Sequence, residues 1–305
     1  MRTFNLCFLG FGNVNRTLVR LLEEKKQDLH DRYAIAFRIT GIASRRLGWI
    51  ADPNGLSWPA SPIHEPPGVS SVASVSSVAS VPSVVENLAG VDSWLKAAQA
   101  DVLFEATSLN IESGEPAISH IKAALEHGAH AITANKGPIV YAYRELRDLA
   151  AVKGKSFLFE STVMDGVPIF SLFPQLPAIR LQGFHGILNS TTNVILAEME
   201  QGLSFDEALK KAQALGVAET DATHDIDGWD AAVKTAALVN VLMLSNENDV
   251  PIRLDQIARD GIRHLTPQAL RTARRDGWAF KLVCRARRTA AGVEASVQPE
   301  KVRST

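Results

Sequence analysis

Apolar positions along the first half of the chain alternate between two spacings. Residues 4–9, FNLCFL, are an apolar run of strand length, polar only at Asn5. A glycine turn follows, Gly10-Phe11-Gly12-Asn13-Val14-Asn15, and then apolar positions at helical spacing from about Arg16 to Gln27. The alternation continues, with strands predicted at about Ala34–Ala43, Asp101–Ala106, His130–Thr133 and Ser156–Glu160. Helices are predicted between them at about Glu86–Gln99, Glu115–His127 and Tyr141–Val152. Strands that alternate with helices and end in polar residues predict a doubly wound parallel sheet that binds a ligand at the strands' carboxyl ends.

Beyond Glu160 the pattern changes. A longer strand, about Leu181–Leu188, ends in Asn189-Ser190-Thr191-Thr192-Asn193, polar residues able to cap a helix over Val194–Gln201. Ser204 and Glu207 form a capping box for the next helix, and Gly216 closes it after Leu215. An acidic loop leads into the apolar run AAVKTAALVNVLML, and strands follow at about Phe280–Arg287 and Val293–Val297. The fold class expected is α/β: a Rossmann-type dinucleotide-binding domain over residues 1–138, then an α+β substrate and dimerisation domain with a mixed sheet over 139–305. Residues 69–85, VSSVASVSSVASVPSVV, nearly repeat SSVASV and hold no large side chain to anchor a core. They are expected to be a flexible surface insertion, with edge-strand pairing as the alternative.

Length and charge narrow the picture. With 305 residues, 32 basic and 33 acidic, the chain can bury a large core and offers no electrostatic case for nucleic acid or an anionic membrane. No apolar run has the length of a membrane span, and the N-terminus leads directly into a strand, so a cytoplasmic protein is expected. Cys7 and Cys284 each lie in an apolar strand, which suits reduced core thiols better than a disulfide or metal site.

The candidate chemistry centres on Glu219 to Lys234, ETDATHDIDGWDAAVK, where Lys234 is the only charged residue between Ala231 and Asn246. Asp230 and Lys234 stand four apart and so share a helix face, with Asp227 expected one turn earlier on the same side. Such a pair is ordinarily a solvated ion pair. On an otherwise apolar helix it is instead a costly feature that suits proton transfer. In the first domain, Gly10 would make the tight turn and Gly12 would let backbone reach a pyrophosphate at the helix N-terminus, with Asn13 and Val14 beside it; a plain tight turn is the alternative. Asn15 stands where the fingerprint has its third glycine, which puts a side chain where helix and strand should pack closely. The second strand ends in Ser44-Arg45-Arg46 with no acidic residue, which suits a ribose 2′-phosphate and hence NADP, unless both arginines are merely solvated. His120, His127 and His130 lack the acidic or cysteine partner that a zinc site needs.

Five motifs in order, Gly10-Phe11-Gly12-Asn13-Val14, TANKGP (133–138), ESTV (160–163), LNSTTN (188–193) and the run Leu215 to Lys234, resemble homoserine dehydrogenase in its short form, without kinase or ACT domains. The resemblance runs from about Phe4 to Val297. It implies interconversion of L-homoserine and L-aspartate 4-semialdehyde in aspartate-derived threonine and methionine biosynthesis, with NADP, or alternatively NAD, carrying the hydride. It implies that Lys234 gives a proton to the aldehyde oxygen while Asp230 holds substrate and orients that lysine. Glu219 would bind the substrate amino group with Asp225 nearby, and Thr191 lies in the substrate loop. Lys136 would lie beside the nicotinamide and the reacting carbon, and Thr107 and Gly216 would line the cofactor. The carbonyls of Glu160, Val163, Asp165 and Val167 match a structural sodium loop, and a homodimer is implied, an expectation to which the apolar strand Phe280 to Cys284 also points.

Hydride addition to an aldehyde leaves charge on oxygen, which a lysine beside a carboxylate can both stabilise and protonate. The sequence departs from the family at Asn15, at Met164-Asp165 in the sodium loop, and in stopping at Thr305, where family chains return to the nucleotide domain with a glycine-rich segment. A truncated or divergent member is therefore expected. Two alternatives accompany the main reading: a dehydrogenase of another amino-acid aldehyde or oxo acid, and an inactive homologue.

Overall fold

The computed structural model describes residues 1–56, 90–244 and 249–303. The serine-valine segment 69–85 and the first residues of the helix expected over 86–99 lie outside them. The chain divides into two compact units, Met1–Thr162 and Val163–Thr305.

The first unit is built on strands β1 (Arg2–Leu9), β2 (Ile35–Ser44), β3 (Gly48–Ala51), β4 (Val102–Glu105), β5 (His130–Thr133) and β6 (Phe157–Leu158) in the order β3-β2-β1-β4-β5-β6. All neighbours are parallel except β3, which forms an antiparallel hairpin with β2. The helices are α1 (Asn13–Glu24), α2 (Lys26–Tyr33), α3 (Val91–Ala97), α4 (Ala117–His127), α5 (Gly137–Tyr141) and α6 (Tyr143–Lys153). The run of buried apolar residues Leu6–Leu9 in β1 follows from its central place, because successive side chains serve opposite faces and both faces are covered. Cys7 and Leu9 pack with Trp94, Leu103, Ile121 and Leu146 of one core, while Leu6 and Phe8 pack with Val19, Phe37 and Val102 of the other. Trp94 is fully buried and its indole N–H donates to the Ile50 carbonyl at 2.8 Å, so burial costs it no polar group and α3 is tied to the β3 edge.

Three features of this unit differ from the sequence pattern. Helix α1 begins three residues earlier than expected, directly after Gly12, and a second helix, α2, follows it. Helix α2 buries none of its residues and is laced by Gln27–Asp31 and Asp28–Arg32 pairs, so it shows no apolar stripe to detect. The short strand β3 was hidden because it is only four residues long, just after the arginine turn.

The second unit carries a four-stranded mixed sheet, β7-β9-β10-β8, made of β7 (Gly183–Gly186), β8 (Ala258–Arg259), β9 (Trp278–Thr289) and β10 (Gly292–Arg303). The β9–β10 hairpin is the spine; β7 joins it antiparallel and β8 parallel. Its helices are α7 (Ser161–Met164) at the boundary, α8 (Ile169–Leu172), α9 (Ser190–Glu200), α10 (Phe205–Ala214), α11 (Thr223–Ile226), α12 (Trp229–Leu238) and α13 (Pro267–Arg275). Strand β9 turns Leu282, Cys284 and Ala286 inward and Arg285 and Arg287 outward, where Arg285 pairs with Glu300 at 2.8 Å and Arg287 with Glu294 at 3.3 Å. The expected strand 181–188 shrinks to β7, and the apolar run after Lys234 leaves α-helical geometry at Val239–Met243 for one π-helical turn.

Candidate active site

At the centre of the first sheet the connections leave β1 and β4 in opposite directions, so their carboxyl ends open a crevice. Gly10 sits there at φ 80°, and a Cβ on it would meet the Ala106 carbonyl oxygen at 2.4 Å and the Thr107 nitrogen at 2.6 Å. No other residue fits both the left-handed conformation and that approach. Gly12 is different: a Cβ there would meet no protein atom within 4 Å. The protein's own packing therefore does not demand glycine at 12, and the backbone there is open. Helix α1 starts from Gly12 with no side chain capping its N-terminus and no acidic residue in its first turn. Such an end presents backbone N–H groups and a positive dipole to an anion, with Asn13 and Val14 exposed at it.

Asn15 is not the packing defect that the missing third glycine suggested. It is 2% exposed, and its amide reaches the carbonyls of Leu9 (3.1 Å), Gly10 (3.2 Å) and Phe104 (3.3 Å). The side chain fills the helix–strand junction and fastens the ends of β1 and β4 to each other. Arg45 and Arg46 are exposed in the turn between β2 and β3, at the carboxyl end of β2.

A buried carboxyl organises the neighbouring strand ends. Glu105, 1% exposed, closes β4 and accepts from the Thr107 N–H (2.8 Å), the Thr107 hydroxyl (2.5 Å) and the Thr133 hydroxyl (2.6 Å). Thr133 in turn accepts from the Asn135 N–H at 2.9 Å, and the Asn135 amide donates to the Thr107 carbonyl at 3.1 Å while its oxygen takes the Gly137 N–H at 2.9 Å. Burial pushes the Glu105 carboxyl above its ordinary range, opposed by those donors from Thr107 and Thr133. This closed network fixes Thr107 and delivers Lys136, half-buried, at the start of α5.

In the second unit the acidic run and its lysine come together on a different element. Helix α12 places Asp230 and Lys234 one turn apart, and they pair at 2.8 Å with side chains only 19% and 18% exposed. The Lys234 ammonium also donates to the Leu188 carbonyl at 2.9 Å. With two of its three N–H groups held this way, its direction is set from both sides and one N–H remains for another acceptor. The next residue, Asn189, is 3% exposed and donates to Asp225 at 2.6 Å and to Asp230 at 3.1 Å. Its oxygen accepts the Thr192 N–H at 2.8 Å, capping α9. In the sequence Asn189 shows only as a helix cap, because the two carboxylates its side chain reaches lie 36 and 41 residues away.

The remaining candidates lie around this cluster in different ways. Thr191 is buried and its hydroxyl donates to the Val217 carbonyl at 3.0 Å, which ties α9 to the loop after α10. Gly216 ends α10 at φ 70°, and Glu219 is exposed on the same loop, its carbonyl held by Gln213 at 3.2 Å. Asp227 does not share the face of Asp230 and Lys234. Gly228, at φ 79°, breaks the chain between α11 and α12, and the Asp227 carboxylate pairs with Arg263 at 2.5 Å. Glu160 lies in the turn two residues past β6, within the first unit, while Val163, Asp165 and Val167 open the second unit, Asp165 at φ 50°.

A doubly wound unit with a glycine turn at its switch point, joined to a mixed-sheet unit bearing an oriented lysine, is the architecture of a nicotinamide-dependent dehydrogenase. Residues 10–160 match the family described as homoserine dehydrogenase, NAD binding domain, and residues 168–305 match homoserine dehydrogenase. The chain is 36% identical over 301 residues to an NAD(+)-dependent homoserine dehydrogenase of Pseudomonas canavaninivorans, covering 98% of this chain and 82% of that protein. It superposes on a homoserine dehydrogenase structure from S. aureus with a TM-score of 0.72 at 28% identity, covering 98% of this chain and 63% of that one. A hyperthermophilic archaeal homoserine dehydrogenase mutant in complex with NADPH superposes with a TM-score of 0.75 at 25% identity, covering 99% of this chain and 83% of the other. The chain belongs to the homoserine dehydrogenase family of NAD(P)-dependent oxidoreductases.

Proposed function

We propose that this chain interconverts L-homoserine and L-aspartate 4-semialdehyde, with Lys234 as the proton donor and acceptor. The observation that carries the proposal is the doubly held ammonium of Lys234, fixed by Asp230 and the Leu188 carbonyl with one N–H to spare. A bound nicotinamide supplies or accepts the hydride at the substrate carbon. In the reducing direction Lys234 donates its remaining N–H to the aldehyde oxygen and passes a proton to it as charge develops there; in the oxidising direction it takes the hydroxyl proton back. Asp225 and Asp230, with Glu219 from the loop after α10, answer the substrate ammonium, and Thr191 holds that loop in place. Lys136, at the start of α5, lies beside the nicotinamide in the same reading.

Gly10, Gly12, Asn13 and Val14 fit a dinucleotide pyrophosphate, since the backbone at Gly12 is open and the α1 N-terminus is uncapped. Thr107 and Gly216 line the cofactor in the same reading. Arg45 and Arg46 at the end of β2 favour NADP over NAD, because two guanidiniums suit a 2′-phosphate and the turn Ser44-Arg45-Arg46 itself holds no carboxylate for a 2′-hydroxyl. A structural sodium ion on the carbonyls of Glu160, Val163, Asp165 and Val167 fits the chemistry of hard oxygen donors; the Val167 carbonyl accepts from Ile169 at 2.8 Å and keeps a second lone pair. A homodimer is supported by the family and by exposed Val167, Leu172, Leu176, Ile179 and Ile187 in one segment of the second unit. The run Phe280 to Cys284 is no basis for it, since Leu282, Val283 and Cys284 are buried within the unit. The decisive assay is homoserine-dependent reduction of NADP and NAD in parallel; turnover with NADP preferred supports the reading, and no turnover with either overturns it.

A further inference from the structure

Two carboxylates placed side by side repel, and Asp225 and Asp230 are both brought to one partner, so something must hold them. The partner is the Asn189 amide. Its orientation is settled by its surroundings: the oxygen takes the Thr192 main-chain N–H at 2.8 Å, which can only donate, and the Thr192 hydroxyl at 2.9 Å. The nitrogen therefore faces the carboxylates, and its two hydrogens go to Asp225 at 2.6 Å and Asp230 at 3.1 Å. The same Asp230 oxygen accepts from Lys234 at 2.8 Å. The adjoining Leu188 carbonyl fixes the lysine from its other side. The dipeptide Leu188-Asn189 is thus the template for the whole cluster.

We propose that Asn189 is a positioning residue that joins Asp225 and Asp230 into one two-carboxylate receptor for the substrate's ammonium group, and so holds Asp230 where it orients Lys234. The inference rests on the homoserine reading above for the identity of the cation. The chemistry selects an amide over its alternatives. A lysine or arginine at 189 would neutralise the receptor it assembles, an aspartate would add a third like charge, and a serine could cap α9 but could not donate to two carboxylates at once. With formal charges of −1, −1 and +1 from Asp225, Asp230 and Lys234, the cluster keeps one net negative charge, which an ammonium group complements. At 3% exposure Asn189 meets no competing solvent.

The test uses Asn189→Asp and Asn189→Ser, both of which keep an oxygen to cap α9 and so separate folding from positioning. Losing amide bonds to two charged partners should raise the KM for homoserine about tenfold or more in both variants, with kcat falling less and the KM for the dinucleotide unchanged. In Asn189→Asp the Tm gap from wild type should also widen as pH rises from about 4 towards 7, because a third carboxyl must ionise beside two others. A homoserine KM within about twofold of wild type in both variants overturns the proposal, as does a Tm gap for Asn189→Asp that is the same at every pH. Absence of homoserine turnover in the wild type overturns the functional reading instead, and the pH dependence of the Tm gap then decides whether Asn189 holds the carboxylate pair.

Discussion

Replacing Glu105 offers a measurement in which direction and size both follow from the geometry. Glu105→Ala leaves the Thr107 N–H, the Thr107 hydroxyl and the Thr133 hydroxyl without their acceptor in a site 1% exposed, and adds a cavity. At about 1 kcal/mol per lost bond plus the cavity, the cost is about 3–5 kcal/mol. For a unit of this size that lowers the Tm of its transition by about 6–20 °C. Glu105→Gln keeps the shape but turns an NH2 toward a hydroxyl that was donating, so one donor loses its acceptor at about 1–3 kcal/mol. The pH dependence carries the sharper test. Burial raises the folded-state pKa of Glu105 above its unfolded value, so the wild type loses stability as pH rises from the unfolded pKa to the raised folded one, and the neutral glutamine does not. The gap between wild type and Glu105→Gln should therefore be largest at acid pH and shrink as pH rises. Thermal unfolding across this range, with dinucleotide affinity measured alongside, reads both effects. A gap that grows with pH, or a Glu105→Ala protein within about 0.5 kcal/mol of wild type, would refute the reasoning.

Three further outcomes follow from the same unit. Asn15→Gly, which restores the glycine of the fingerprint, should destabilise by about 1–2 kcal/mol in urea unfolding, because it removes the donor to three carbonyls and leaves a void; a more stable variant would show that the fingerprint outweighs the bonds. The double substitution Arg45→Ala with Arg46→Ala should raise the KM for NADP about tenfold and leave that for NAD within about twofold, as expected for charge-assisted contacts to a phosphate that only NADP carries; equal effects on both would return the arginines to solvated loop charges. Cys7 is fully buried and burial pushes its thiol up to about 12, so it should resist thiol reagents in the native protein at mildly alkaline pH and react on unfolding.

Local signals made much of this fold legible. The glycine turn, the strand His130–Thr133, the capping box at Ser204 and the Asp230–Lys234 pair are each set within a few residues, and each stands where the pattern placed it. What escaped depends on distant partners. Helix α2 has no buried face to mark it, Gly228 breaks a helical register that composition alone would run through Asp227, and Asn15 reads as a lost glycine until the carbonyls of β1 and β4 surround it. Asn189 shows the same limit most clearly, because its cap is local and its two carboxylates are not.

The central claim is that Lys234 carries the proton in a homoserine dehydrogenase reaction. It is tested most directly by homoserine-dependent NADP reduction in the wild type and in Lys234→Ala, with the Tm of each recorded. The expected result is turnover in the wild type and a kcat lower by about 10²–10⁴ in the variant, the range for removal of a positioned general acid, with folding retained. Turnover that persists undiminished in Lys234→Ala would contradict it.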